Sequence, residues 1–288
     1  MGTAVCWTGS ALSFASAGKR IGSVPTNLIR LVMALAFLAL ANAVARGVPL
    51  PVDASSYTWG YLALSGFIGL VFGDLCLFRA YVVLGPRLTL LINATAPFFT
   101  ALLGWIVLSE HLSALQLLGM TLTFGGIALA LADHRNAARA AGTPHWSLRG
   151  VLLALGGALG QAGGLVFSKL GMRGYPPLAA TEIRVLAALG CFLVLFTVMR
   201  WWPGVFEALR HGSGLGFTAL GAFFGPTAGV ALSLVAVANA PAGVASSLMA
   251  LSPLLVLPVV ALRGERVGWG GVAGAIVAVA GVVLLVWS

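Results

Sequence analysis

The stretch from Gly60 to Leu129 occurs twice, and that duplication limits what the chain can become. Gly60, Ala63, Leu64, Gly69, Gly73, Ala80 and Pro97 recur 156 residues later as Gly216, Ala219, Leu220, Gly225, Gly229, Ala236 and Pro253. Glu110, Gly119, Gly126 and Leu129 recur at an offset of 155 as Glu265, Gly274, Gly281 and Leu284. Upstream, Arg30, Ala34, Leu35 and Arg46 recur at an offset of 154 as Arg184, Ala188, Leu189 and Arg200. Glycine matches are cheap in a chain with 38 of them, but the paired Pro, Glu and Arg are not. A unit this long is no solenoid turn. It is half a protein, so the chain divides into a first repeat at 1–132, a connecting loop at 133–148 and a second repeat at 149–288.

Each half is too apolar for water. Hydrophobic residues make up 60% of the chain and charged residues 8%, against about 25% charged in soluble domains. Mean hydropathy is +1.03. The outer helices of a soluble fold would need polar faces that this composition cannot supply, so the class is all-α integral membrane protein. The net charge of +9 then points to membrane topology and anionic headgroups, not to nucleic acid. Cys6, Cys76 and Cys191 fall inside apolar runs without metal-ligand spacing and read as small buried hydrophobes. The first apolar run begins almost at Met1 with no basic leader or small-residue cleavage site, so no cleavable signal peptide is expected.

Ten apolar runs approach or exceed the ~17–25 residues a bilayer requires: roughly 3–17, 26–45, 59–84, 87–108, 113–132, 149–170, 178–199, 215–237, 241–262 and 268–287. Short loops carrying breakers such as Gly85-Pro86 and Tyr175-Pro176-Pro177 separate them. Five spans per copy is an odd number, so tandem copies must enter the membrane with opposite orientation. The sequence thus predicts ten transmembrane helices in two inverted five-helix repeats, an arrangement that builds secondary transporters around one central site. One set of loops holds Lys19, Arg20, Arg87, Arg135, Arg139, Arg149, Arg200, Arg210, Arg263 and Arg266; the opposite set holds Arg46, Lys169 and Arg173. The positive-inside rule places the richer set in the cytoplasm and both termini outside.

The pattern Pro97…Leu108-Ser109-Glu110…Gly119…Gly126, with its copy Ser252-Pro253…Gly264-Glu265…Gly274…Gly281, resembles the EamA-type branch of the drug/metabolite transporter superfamily. Trp7 in the first span and the arginines opening the second span of each half, Arg30 and Arg184, resemble it too. The resemblance covers essentially the whole chain. It implies a central cavity lined mainly by the first, third and fourth helices of each half. Within that branch the chain looks most like YddG-type exporters of aromatic and neutral amino acids, which implies a multi-pass protein of the bacterial inner membrane. The resemblance also implies cytoplasmic termini, opposite to the charge tally. The second copy departs from the pattern where Gln161 stands in place of Trp7.

On the implied lining helices, the substrate-binding candidates are aromatic and uncharged polar side chains. Trp7, Ser10 and Phe14 share one face of the first helix, Phe78 and Tyr81 one face of the third. Asn93 precedes Pro97 by one turn, and Gln161, Ser168, Ser246, Ser247 and Met249 occupy matching regions of the second half. For each of these, ordinary packing between spans competes with substrate contact. Pro97 and Pro253 near mid-span would hinge the helix or wall the cavity, or else be tolerated kinks. Asp74 is the acidic residue placed well inside a span, with Glu182 nearer an end. It would carry a proton, meet an ammonium, or pair with Arg30 or Arg79. With Asp74 as the one well-buried carboxylate, the expectation is facilitated flux without obligatory proton exchange. Glu110 and Glu265 are placed to cap the N-terminus of the helix that follows each, and Arg30 and Arg184 to snorkel to headgroups.

The expected activity is secondary transport of small amphiphilic metabolites, foremost export of neutral and aromatic amino acids by alternating access, by a monomer without cofactor or metal. Another small metabolite or drug is the alternative substrate; a channel or a membrane-embedded enzyme is the reading from a different class. His111, His134, His145 and His211 lie in loops or at span ends without zinc-protease spacing, and no phosphate-cradling G-x-x-x-x-G-K-[ST] motif suggests ATP drive. Five spans separate the 133–147 loop from Ser288. Reporter fusions at the two positions are therefore expected on opposite sides of the membrane, and reporting from the same side would refute the ten-helix arrangement.

Overall fold

In lipid no hydrophobic force drives one apolar helix against another, so helices touch where small residues let backbones approach. The repeated glycines do this here. The computed structural model describes residues 2–84, 89, 92–139, 147–250 and 269–287; for residues 11, 15, 81, 82, 130–139, 271 and 286 it describes the backbone alone. Pro253, Glu265, Ser252, Gly264, Arg87, Arg263 and Arg266 lie outside the described residues, as does the side chain of Tyr81. Among the described residues every regular element is helical. Among the described residues five helices are long and apolar enough to cross a membrane: Ser23–Arg46, Ser56–Ala80, Leu148–Met172, Pro177–Val198 and Gly212–Asn239. Other helices expected as spans are shorter over their described apolar parts, at Ala96–Leu108, Ala114–Leu129 and Val272–Leu285.

The helices are α1 (Gly2–Ile21), α2 (Ser23–Arg46), α3 (Ser56–Gly66), α4 (Asp74–Leu84), α5 (Ala96–Leu108), α6 (Ala114–Arg139), α7 (Leu148–Met172), α8 (Pro177–Val198), α9 (Trp202–Ala208), α10 (Gly212–Ala222), α11 (Val230–Asn239), α12 (Ala242–Met249) and α13 (Trp269–Trp287). Two π-helical segments, Phe67–Gly73 and Phe223–Gly229, join α3 to α4 and α10 to α11. They stand at the repeat offset, 156 residues apart. Pro226 lies inside the second and Leu70 at the matching place in the first, so proline does not cause the widened turn. What the copies share there is Phe67, Gly69 and Gly73 against Phe223, Gly225 and Gly229.

The chain forms two compact units, and each draws on both sequence repeats. One comprises Gly2–Val71 and Phe167–Asn239. Within it α1 packs on α10 and the second π segment, and α8 packs on α2, α3 and α11. A Cβ at Gly66 would collide with the backbone carbonyl of Arg184, so α3 and α8 touch main chain to main chain.

The other unit comprises Phe72–Val166 and Ala240–Ser288. Its principal contact is α6 against α13. A Cβ on Gly126 would collide with Ala278 and the carbonyl of Gly274, and one on Gly119 would come within 3.0 Å of the Gly281 carbonyl. As the number rises along α6 it falls along α13, so the two helices are antiparallel. The repeat carries Gly119 to Gly274 and Gly126 to Gly281, so it exchanges these two contacts with each other, as a two-fold axis would.

This crossing has no room for a side chain. Gly126→Leu is expected to destabilise the protein by about 1–3 kcal/mol, the usual cost of overpacking. Gly125→Leu, whose Cβ meets nothing within 4 Å, should be near neutral. Thermal unfolding of both variants in detergent checks this, and equal melting temperatures would refute the crossing.

Candidate functional site

Trp7, Ser10 and Phe14 come together on the face of α1 that meets α10 and the second π segment. The Trp7 indole Nε1 donates to Ser233 Oγ at 3.4 Å, and Ser10 Oγ donates to the Gly221 carbonyl at 3.3 Å. The Phe14 ring occupies the space a Cβ at Gly221 would take, and Ser10 Oγ the space at Gly225. Glycine at both places lets α1 approach closely enough for these contacts.

Arg30 and Arg184 do not snorkel. They are 4% and 5% exposed, and the Arg30 guanidinium lies over the Phe14 ring at 5.4 Å. The aromatic face supplies part of what a buried cation needs. Each arginine enters its helix among buried neighbours: Thr26, Asn27, Leu28, Ile29 and Leu31 in α2, and Thr181, Glu182, Ile183 and Val185 in α8. The side chain is thereby drawn inward.

Glu182 corrects the acidic inventory. Asp74 is buried at 9% exposure, but Glu182 is at 0%, more deeply covered than the residue expected to be the sole buried acid. Its Oε2 accepts from Asn42 Nδ2 at 2.7 Å. Glu182 Oε1 and Asn42 Oδ1 find no hydrogen-bond partner. The expectation of uncoupled flux rested on a single buried carboxylate, so its premise is removed.

Nearby, Arg46 at the end of α2 pairs with Asp53, and Tyr175 Oη donates to Asp53 Oδ1 at 2.8 Å. This clasp ties the 47–55 loop to the 173–176 turn. The Arg46 hydrogen bond first, and that of Tyr175 second, hold the Asp53 carboxyl below its ordinary range. The Tyr175 phenol is pushed up, first by burial and then by its bond to Asp53.

Ser168, on α7, meets Ser65 with their hydroxyl oxygens 2.6 Å apart. In the repeat register this contact is the counterpart of Phe14 on Gly221.

The remaining candidates belong to the other unit. Helical bonding breaks at Ala94–Thr95, where Thr95 N and Oγ1 both bond the Ile92 carbonyl, at 3.0 and 2.6 Å. Pro97 therefore stands in the first turn of α5 rather than as a kink inside a continuous helix, and there its missing N–H costs nothing. In the second copy α12 stops at Met249 with a turn at Ala250, 156 residues after Ala94. Asn93 and Met249 thus hold equivalent places, each immediately before a turn residue. The Asn93 Oδ1 is buried without a hydrogen-bond partner. Ser246 accepts from Thr100 Oγ1 at 3.2 Å between α12 and α5, and Ser247 is fully buried, donating to the Gly243 carbonyl. Phe78 and Gln161 are partly buried.

Glu110 caps a helix, though not the one that follows it. Its Oε2 accepts from the backbone N–H of Ala242 at 2.7 Å, at the start of α12. The carboxylate sits against Gly104, where a Cβ would come within 3.0 Å of it. The next helix, α6, is already served by Ser113 and Gln116, each backbone N–H bonding the other's side chain at 3.0 and 3.1 Å. Among the described residues no group of His, Cys, Asp and Glu has a metal-binding arrangement.

The clasp gives a pH dependence with a definite sign. A carboxyl depressed in the folded state contributes stability that is fully present above its unfolded pKa. That stability is lost as pH falls through the folded value. The melting temperature should therefore drop on acidification below about pH 4, and Asp53→Asn should remove that part of the drop. Identical acid profiles for wild type and Asp53→Asn would dismiss the clasp.

The family profile for EamA-like transporters matches residues 1–132 and again 148–287. One solved structure, titled "Crystal structure of protein", has a TM-score of 0.66 at 18% identity over 98% of this chain and 93% of its own; at that identity the likeness bears on the fold alone. No curated protein matches. Matched twice and almost end to end, with long apolar helices suited to a bilayer, the chain belongs to the EamA-like transporter family of the drug/metabolite transporter superfamily, whose members carry small metabolites across membranes.

Proposed function

We propose that this transporter exports neutral and aromatic amino acids from the cytoplasm by alternating access, through ten spans in two inverted five-helix repeats. The α1 face carries the reading: the Trp7 and Phe14 rings, the Ser10 and Ser233 hydroxyls, and a guanidinium buried over Phe14. Small-molecule sites are mostly apolar with a few orienting polar groups, and this face suits a ligand with a bulky apolar body and one charged end. A carboxylate end on the ligand would suit the cationic end of this face. Asn93, Met249 and Pro97 support the reading from the other unit. Asn93 and Met249 precede turns at matching places in the two copies, and interrupted helices such as the one broken before Pro97 mark binding sites in inverted-repeat transporters. The antiparallel exchange of α6 and α13 contacts supports the inversion itself. Sugars would call for more amides and carboxylates than these residues provide, and phosphorylated metabolites for a cluster of central cations.

Counterflow into proteoliposomes, with a panel of competitors, tests the substrate class. Saturable flux of Phe, Trp, Met and Leu with mutual competition is expected. Selectivity should be broad, because apolar walls separate neighbours by only about 1–3 kcal/mol per methylene. Trp7→Ala should weaken the aromatic substrates most. Clear flux of a sugar or nucleotide-sugar, with no competition from any neutral amino acid, would overturn the substrate class and leave the family assignment standing.

A further inference from the structure

Between α2 and α10 lies an open apolar groove of about 600 Å³ along two helices long and apolar enough to cross a membrane. At its deep end the rings of Phe37 and Phe223 meet edge to face, 5.9 Å apart. Gly216 and Leu220 line it, with Ser213 toward the start of α10. There the chemistry changes sign. The Arg20 guanidinium lies over the ring of Phe217, a groove residue, at 4.6 Å. Lys19, Arg210 and His211 are exposed at the same helix ends, α1 and the start of α10. One Arg20 nitrogen, Nη1, donates to the Ser16 carbonyl at 3.3 Å. A guanidinium has five N–H donors, so the group retains others for a ligand.

The first repeat provides an internal comparison. Tyr57 and Tyr61 stand there in the register of Ser213 and Phe217, and Arg173 of the second repeat in that of Lys19, the residue beside Arg20. The Tyr57 and Tyr61 rings lie 4.5 Å apart, Tyr61 stacks on Phe167 at 6.5 Å, and the Arg173 guanidinium sits over Tyr57 at 3.9 Å. Both copies place an arginine over an aromatic ring. In the first, a second tyrosine ring stands where the second copy has only the small Ser213.

We propose that the groove is a binding site for one anionic phospholipid of the leaflet on the Arg20 side. The acyl chain lies along Gly216, Leu220 and Phe223 to the Phe37 ring. Arg20 holds the phosphate, with Lys19 and Arg210 at the rim. A trough of this composition within a bilayer accepts hydrocarbon, and its single charged end selects what that hydrocarbon is attached to. A guanidinium matches a phosphate with two parallel hydrogen bonds, and basic pockets beside spans favour headgroups with net negative charge. The site makes no use of the transport reading and stands or falls apart from it.

Delipidated protein in detergent, titrated with phosphatidylglycerol or phosphatidylcholine of the same acyl chains, is the test. Binding is read by thermal unfolding and by native mass spectrometry. Phosphatidylglycerol should bind more tightly and raise the melting temperature more. Arg20→Ala should weaken phosphatidylglycerol binding about fivefold, as expected for one basic group near an anionic headgroup, and weaken phosphatidylcholine, whose choline already offsets its phosphate, by less. Gly216→Leu should abolish the bound lipid of either kind. A Cβ there meets nothing within 4 Å, so the added side chain fills the groove without displacing protein. Ser213→Tyr, which installs the residue of the other copy, is a milder block should Gly216→Leu fail to elute as folded protein. Equal response to the two lipids, a phosphatidylglycerol preference surviving Arg20→Ala, or full binding by the folded groove-filled protein would each overturn the proposal. So would equal stabilisation by glycerol phosphate alone, which would leave the chain without a role.

Discussion

Main-chain contact through glycine is the constraint on which the rest of this structure depends. Water would drive apolar helices together whatever their shape; lipid does not, and close packing has to supply the attraction. At Gly126 on α6 and Gly66 on α3 the neighbouring helix's backbone stands where a Cβ would be. At Gly221 the Phe14 ring does so. These approaches decide which helices are partners, and so which side chains meet. Trp7 reaches Ser233 because α1 can lie against a glycine-bearing surface. The polar contacts therefore follow from the glycine pattern.

Once helices are that close, polar groups between them must satisfy one another, since lipid offers nothing. Most do so within a turn: Thr8, Ser13, Thr26, Thr100 and Ser247 each donate to the carbonyl four residues back. The exceptions are longer-range and more specific. Glu110 reaches Ala242, 132 residues away, and Asn42 reaches Glu182, 140 away. Such contacts join the first sequence repeat to the second within a single compact unit. A buried carboxylate bonded to one neutral amide is costly to hold in an apolar surround. Glu182 is therefore held there by the packing around it, and among the described acidic residues none is more deeply covered.

The duplication, the helical class and the family were legible in sequence because they rest on offsets and composition. Some helix limits were legible to within a few residues: 26–45 was expected and Ser23–Arg46 found, 178–199 expected and Pro177–Val198 found; the run expected at 87–108 instead holds a turn before α5 begins at Ala96. What failed to show was pairing. Glu182 looked peripheral from its place near the start of a span; it is fully covered because the C-terminal part of α2 lies over that start. Arg30 and Arg184 looked like interfacial anchors for the same reason. Glu110 was assigned to the nearest helix in the sequence, although Ser113 and Gln116 two and five residues beyond its neighbour His111 already served that helix. The π segments left a trace, the paired Gly69/Gly225 and Gly73/Gly229, but hydropathy does not distinguish a widened turn from an ordinary one. The Trp7, Ser10 and Phe14 face held together as its spacing suggested, because residues three and four apart share a side of any helix.

The two copies agree in backbone and differ in side chains. Both carry a seven-residue π segment, a turn before or at the paired-proline region, and an arginine over an aromatic ring at one end of the third span. Yet Phe14 on Gly221 becomes Ser168 on Ser65, Leu70 becomes Pro226, and Asn93 becomes Met249. In the proposed alternating-access cycle, the halves exchange roles as the protein turns from one side of the membrane to the other. Identical halves would make the two states equal in energy, and substrate alone would decide the direction. Here a ring packed on glycine in one copy stands against a hydroxyl pair in the other, and these contacts do not cost the same to open. In that proposed cycle the substitutions between copies would give the unloaded carrier a resting side, while the shared backbone devices would leave it able to reach the other.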